Sequence, residues 1–215
     1  MKKIKISILS AIWIVFLIIS KTPFIIPLLC AVALHESGHL LCAAILKIKI
    51  QSLDLSLIGA RIKACGTLSY VDELLFALGG PLMGFLGFAI TFKFAFSNLA
   101  IPFCQNFLFP FSIISLCLSI FNLLPLNSLD GGRILKCSLC LIFSLTTAEK
   151  VIKFTSFFTL ISLWLMSIYM MLKIATGLPM FIFCLFFFSK CFIKSIKNGD
   201  LESFWENKRE KTAFF

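Results

Sequence analysis

Long apolar runs alternate with short polar breaks along almost the whole chain. The first run covers 4–20, after Lys2 and Lys3. A second covers 24–46 and a third 74–96, the third opening with Gly79-Gly80-Pro81. A fourth extends over 107–143, broken at 122–132 by Asn, Pro, Ser, Asp and two glycines. The fifth covers 154–172 and the sixth 178–192, with a polar tail over 195–215. Runs of about twenty apolar residues have the length of helices that cross a bilayer. The pattern therefore predicts an all-α polytopic membrane protein of about six transmembrane helices, with 1–194 as one integral-membrane domain. Between the second and third runs the pattern switches period. Leu53, Leu55 and Leu57 alternate with Asp54 and Ser56, and Arg61 and Lys63 with Ile62 and Ala64, with Gly59 and Gly66 as turn residues. Period-two alternation here predicts a small β-hairpin at the membrane interface. Such a strand could also pair with an extended substrate.

Charge orients these elements. Net charge is +10, with 60% hydrophobic residues among 215. A soluble globular domain does not have this profile. With the N-terminus inside, six spans put Lys47, Lys49, Arg61 and Lys63 in the cytoplasm. The same arrangement puts Lys150, Lys153, Lys190, Lys194 and Lys197 there, while the uncharged loop 97–106 faces out. Cytoplasmic loops carry such excess Lys and Arg, so both termini are expected in the cytoplasm. The first run lacks a small-residue cleavage site and reads as an uncleaved anchor. The basic clusters fit anionic lipid, and no nucleic-acid motif accompanies them. The chain leaves little room for an appended soluble domain. The tail has the spacing of a short interfacial helix through Leu201, Phe204, Trp205 and Lys208. The composition is compatible with a bacterial cytoplasmic membrane.

The nine cysteines are scattered, mostly within spans, and read as small apolar packing residues. Cys137 and Cys140 form a CxxC with no second pair and no histidine nearby, a weak zinc signal.

Chemistry concentrates elsewhere. The chain has two histidines, and they stand four residues apart in His35-Glu36-Ser37-Gly38-His39. On a helix both imidazoles share one face and can reach a single ion. Glu36 lies three residues before His39, placed to act on a water. Zinc proteases use HExxH in this way, with two histidine ligands and a glutamate base. Glu36 is the one Asp, Glu, Lys or Arg between Thr22 and Leu46. Ionisable groups inside an apolar span are costly and mark function. A catalytic zinc needs a third protein ligand. Carboxylates are available in the tail (Asp200, Glu202, Glu206, Glu210), around the interfacial loop (Asp54, Asp72, Glu73) and at Glu149. Asp130 differs from these in lying inside the break between apolar stretches, followed by Gly131 and Gly132. It can equally cap the helix that starts near Gly131.

The HExxH in the second span, the Gly79-Gly80-Pro81-Leu82-Met83-Gly84 segment and the later Asn122-x-x-Pro125-x-x-x-x-Asp130-Gly131 element together resemble the site-2 protease family of intramembrane zinc metalloproteases. The likeness covers spans two to four, about half the chain, and the layout is closest to the branch that processes a sporulation pro-sigma factor. The resemblance implies one Zn²⁺ per chain held by His35, His39 and Asp130, with Glu36 as catalytic base. It also implies substrate contacts at Asn122, Gly80 and Pro81. The implied activity is hydrolysis of membrane-spanning or membrane-tethered proteins near the cytoplasmic side, as in regulated intramembrane proteolysis. Two positions depart from the family pattern. Gly84 stands where many relatives carry Asn, and Ser128 where a second proline is common. Three other readings compete: an HExxH membrane peptidase with a glutamate third ligand, a zinc transporter or metal-sensing membrane protein, and an inactive protease-like scaffold. A transporter would be expected to spread its ionisable residues along a path rather than in one cluster. A regulatory membrane partner or homo-oligomer is compatible with the sequence.

Overall fold

A computed structural model describes residues 3–6, 24–48, 50–56, 59–64, 68–95 and 104–174. These residues are mostly helical. In chain order they form β1 (Lys3–Ile6), α1 (Ile25–Ile45), β2 (Ile50–Ser56), β3 (Gly59–Ala64) and α2 (Tyr70–Ala95). A π-helical turn (Cys104–Leu108) then leads into α3 (Phe109–Asn122), followed by α4 (Asp130–Ile142) and α5 (Leu145–Ile174). Among the described residues, three helices are long and apolar enough to cross a membrane: α1, α2 and α5. The sixth expected span and the tail lie outside the described residues.

Each helix boundary has a local cause. In α1, Pro27 occupies the first turn, where the missing N–H interrupts no hydrogen bond. Its 21 residues rise about 31 Å, the thickness of a hydrocarbon core. The helix ends where Lys47 turns to φ 54°. The Ile48 N–H then reaches back to Ala43 O at 2.9 Å and the Lys47 N–H to Ala44 O at 3.2 Å. This left-handed closure satisfies carbonyls that the helix end would otherwise leave open. In α2, the Ser69 hydroxyl accepts from the Asp72 N–H at 3.1 Å and donates to the Asp72 carboxylate at 2.7 Å, capping the first turn. The glycine-proline segment sits in the middle of α2, not at the opening of the span as its sequence suggests. Pro81 is fully buried there. Burial on a packed helix face tolerates the lost N–H because neighbouring helices hold the backbone in place.

The fourth apolar run is two helices of 14 and 13 residues joined by a break over 123–129. Each alone is shorter than the roughly twenty residues a crossing needs. Leu129 is extended at the start of α4 (φ −106°, ψ 169°), so the chain enters the new helix at a sharp angle.

At the other end of the sequence, β1 is extended where the first residues of the expected 4–20 span lie. The Lys-Ile-Lys-Ile alternation at the start of the chain suits a strand rather than a helix. Residues 7–20 of that span lie outside the described residues. β1 runs parallel to β2, pairing Lys3 with Ser52 and Ile6 with Leu55. β2 pairs antiparallel with β3, Leu53 opposite Ile62 and Asp54 opposite Arg61, giving the order β1-β2-β3.

The chain divides into two compact units, Met1–Thr155 and Ser156–Phe215. In the first, α2 is central: it packs on α1, α3 and α4, and α1 also meets α3. Lipid removes the hydrophobic drive between helices, so close backbone approach and small residues must supply their contact. The α1–α2 crossing shows this. A Cβ on Gly38 would collide with the Gly79 carbonyl, and one on Gly79 would meet Cys42 Sγ and the Gly38 carbonyl. At the α2–α3 contact, Gly84 meets the Ser119 hydroxyl, which itself donates to Ser115 O at 2.9 Å. The described part of the second unit, 156–174, is the remainder of α5 and is strongly apolar.

Candidate metal centre

The close α1–α2 crossing brings the HExxH turn against the glycine segment of α2. His35 and His39 are buried, 4% and 5% exposed. Their rings meet edge to face with centroids 5.0 Å apart. Asp130, the first residue of α4, reaches across from the break. Its Oδ2 lies 3.2 Å from His35 Nε2 and 3.2 Å from His39 Nε2. Its carboxylate makes no cap to its own helix, whose N-cap position is Leu129. Among the described residues, His35, His39 and Asp130 are the group that gathers three donor atoms within 4.8 Å of one another.

Glycines make the approach of Asp130 feasible. A Cβ on Gly131 would strike the carbonyls of Leu123 and Leu124, and one on Gly132 the carbonyl of Leu126. The break therefore folds directly onto the first turn of α4, and Leu126 and Leu129 are buried beneath it. Ser128 is exposed on the turn. Gly80 performs a similar service from α2. A Cβ there would run into Nε2 of both His39 and His35.

Hydrogen-bond chemistry decides what these donors can hold. His39 Nδ1 lies 2.8 Å from the Phe76 carbonyl. A carbonyl only accepts, so Nδ1 carries the proton, and in a neutral ring Nε2 is then a bare lone pair. That lone pair faces a carboxylate oxygen at 3.2 Å. Two acceptors at this separation repel unless a proton or a metal ion lies between them. Ligands about 2.0–2.1 Å from a tetrahedral zinc are themselves roughly 3.3 Å apart. The residues thus fit a zinc ion by donor type, tautomer and spacing. The Phe76 contact is also the outer partner that metal-bound imidazoles commonly have. His35 Nδ1 has no hydrogen-bond partner among the described residues.

The remaining expected residues occupy different relations to this group. Glu36 follows His35 on α1 and is half-buried. Gly80 touches the imidazoles, whereas Pro81 is enclosed in the helix packing. Asn122 ends α3 and donates from Nδ2 to Leu118 O at 3.0 Å, a bond within its own helix. Phe76 has no counterpart in the sequence reading. Its contribution is a backbone carbonyl, which no residue type announces, although it precedes Gly80 by four residues and so shares that face of α2.

Comparisons with known proteins agree with this geometry. A family model described as peptidase family M50 matches residues 78–166, which include Gly80, Asn122 and Asp130 but not the HExxH turn. A curated zinc metalloprotease of Methanocaldococcus jannaschii is 30% identical over 122 residues, 56% of this chain and 35% of the relative. The match therefore spans about a third of that relative's length. A solved structure, the site-2 protease from Methanocaldococcus jannaschii, superposes with a TM-score of 0.58 at 25% identity, covering 86% of each chain.

Proposed function

The chain belongs to the site-2 protease family, and on that premise we propose that it is an intramembrane zinc metalloendopeptidase. The observation that carries the reading is the convergence of two buried imidazoles and one carboxylate on one point, with the donor types and spacing that fit a zinc ion. In this reading His35, His39 and Asp130 hold the metal. A zinc ion bound there would supply Lewis-acid polarisation of a water and of the scissile carbonyl. Glu36 takes the proton of the attacking water and delivers it to the leaving amine. The Phe76 carbonyl keeps the His39 ring in one tautomer and orientation. Gly80 keeps the space between the imidazoles clear. Asn122, Gly80 and Pro81 border the path of the substrate backbone.

The substrate in this reading is a membrane-spanning or membrane-tethered protein, cut near its cytosolic boundary. The chain crosses the bilayer six times with both termini in the cytoplasm, an arrangement supported by the placement of Lys and Arg. β2 and β3 then lie at the cytoplasmic interface, where an extended substrate could add to the sheet. Peptide hydrolysis requires such an extended segment, because helical carbonyls are engaged in hydrogen bonds.

The test is zinc content per chain in detergent-purified wild type, Glu36→Gln and His35→Ala, with cleavage of a membrane-tethered reporter measured beside it. About one zinc per chain in the first two, its loss in the third, and cleavage by wild type alone are expected. Cleavage by Glu36→Gln would remove the base assignment. Equal zinc in all three would remove the metal site and leave the scaffold reading.

A further inference from the structure

Arg133 is a cation that the proteolytic reading leaves without a task. It is half-buried and is the third residue after Asp130 on α4. Three residues advance a helix by about 4.5 Å and turn it by about 300°. Arg133 therefore stands one turn from Asp130 and about 60° round the helix from it. Cα–Cβ bonds tilt towards the helix N-terminus, which inclines the long Arg133 side chain back towards Asp130. Gly80, against which the imidazoles rest, is ten residues into α2, about 15 Å along it. The metal centre and the turn that carries Arg133 thus lie well inside the apolar length of α2.

The carboxylates on and beside α4 are already engaged. Asp130 Oδ2 faces both imidazoles at 3.2 Å. Glu149 on α5 accepts from Lys136, the other cation of α4, at 3.1 Å. Among the described residues, Arg133 makes no ion pair and no side-chain hydrogen bond, although it is one turn from each of these groups in sequence. An ionisable side chain at membrane depth is costly unless it pairs or faces a water-filled path, and such residues mark the route of a substrate.

We propose that Arg133 determines specificity by receiving an acidic side chain of the substrate, an Asp or Glu close to the scissile bond. The inference rests on the proteolytic reading and names a feature of the substrate that the reading leaves open. A guanidinium suits this ligand, because its planar fork meets a carboxylate with two parallel N–H···O bonds. Spacing limits where the acidic residue stands. Extended backbone rises about 3.3 Å per residue, so one turn of α4 and the reach of an arginine correspond to roughly one to three substrate residues. Discrimination follows from what the wrong residue leaves behind. A Gln in that place leaves a desolvated guanidinium without its counter-charge, whereas a Glu pairs it.

The test uses the full-length, zinc-loaded protein in vesicles with a single-span reporter. One Glu is walked through successive positions of the reporter's cytosolic boundary, beside a matching Gln series. Glu at one or two neighbouring positions should raise kcat/KM about tenfold over Gln, the order of one charge-assisted hydrogen bond. Arg133→Gln should bring that ratio to about one. Arg133→Glu should reverse it in favour of Lys at the same positions, an exchange that a merely structural arginine does not produce. Arg133→Lys keeps the charge without the fork and should keep a weaker preference, which holds the test open should the other variants misfold. Equal rates for Glu and Gln at every position, or a Glu preference that survives Arg133→Gln, overturn the proposal and leave the proteolytic reading standing. An effect of Arg133→Gln that follows the anionic lipid content of the vesicles and is the same for both series assigns the guanidinium to lipid phosphate and also overturns it. Zinc-loaded wild type that cuts neither series overturns the proteolytic reading itself, and this inference with it.

Discussion

Helix α1 and the segment 123–132, the break with the first residues of α4, each deliver donors to one point, by opposite means. α1 carries His35, Glu36 and His39 within a single turn of regular helix, so their mutual geometry is set by helix periodicity alone. The break carries one carboxylate, 91 residues from His39 and 95 from His35 in sequence. Its position depends on an extended Leu129, two glycines beneath a folded-back backbone, and the packing of α4 on α2. A change in α1 should therefore act on chemistry directly, whereas a change in the break should act through position.

The sharpest way to sharpen that contrast lies between the two regions, at Gly80. Gly80→Ala should eliminate zinc at the histidine centre while leaving the protein folded and monodisperse, because its methyl group enters the space the imidazoles share. Metal analysis beside size-exclusion chromatography checks this, and full zinc occupancy would break the account. Next is Asp130→Asn, which keeps the shape of the side chain and removes its charge. Zinc affinity should drop by at least about 10- to 100-fold, the loss that even outer partners of metal ligands produce. A competition titration with a chelator measures it.

Gly131→Ala addresses position without touching a donor. Its Cβ collides with the Leu123 and Leu124 carbonyls, so overpacking should cost about 1–3 kcal/mol and weaken zinc binding in parallel. Denaturation in detergent with and without zinc reads both. If stability falls but zinc affinity holds, Asp130 does not depend on the glycine turn. The smallest expected effect is at the end of α1. Lys47→Gly relieves a left-handed backbone that L-residues adopt at a cost, and should stabilise the protein by up to about 1 kcal/mol without altering zinc content. No change in the melting temperature would mean that the closure of α1 is held by other contacts.

The same contrast explains what could be read in advance. The HExxH turn was legible because two histidines at i and i+4 in an apolar run encode their own geometry. Asp130 stood out because a carboxylate beside two glycines inside a broken apolar run is rare. The apolar stretches at 24–46, 74–96 and 154–172 match helices at Ile25–Ile45, Tyr70–Ala95 and Leu145–Ile174. The reading erred where two local signals compete. Gly79-Gly80-Pro81 has the composition of a helix opening, yet it lies mid-helix because α1 and the imidazoles press against it. The start of the chain is apolar enough for a span, yet Lys3–Ile6 is a strand beside β2.

Sequence alone determined the residue types, the helical phase that puts His35 and His39 on one face, and the apolar lengths that make α1, α2 and α5 capable of crossing a bilayer. These are local properties, set within a few turns of chain. Tertiary structure alone decided that Asp130 Oδ2 stands 3.2 Å from both imidazoles and that the Phe76 carbonyl selects the His39 tautomer. Those contacts join residues far apart in the chain. They follow from how closely glycine-lined helices approach, which no single segment encodes.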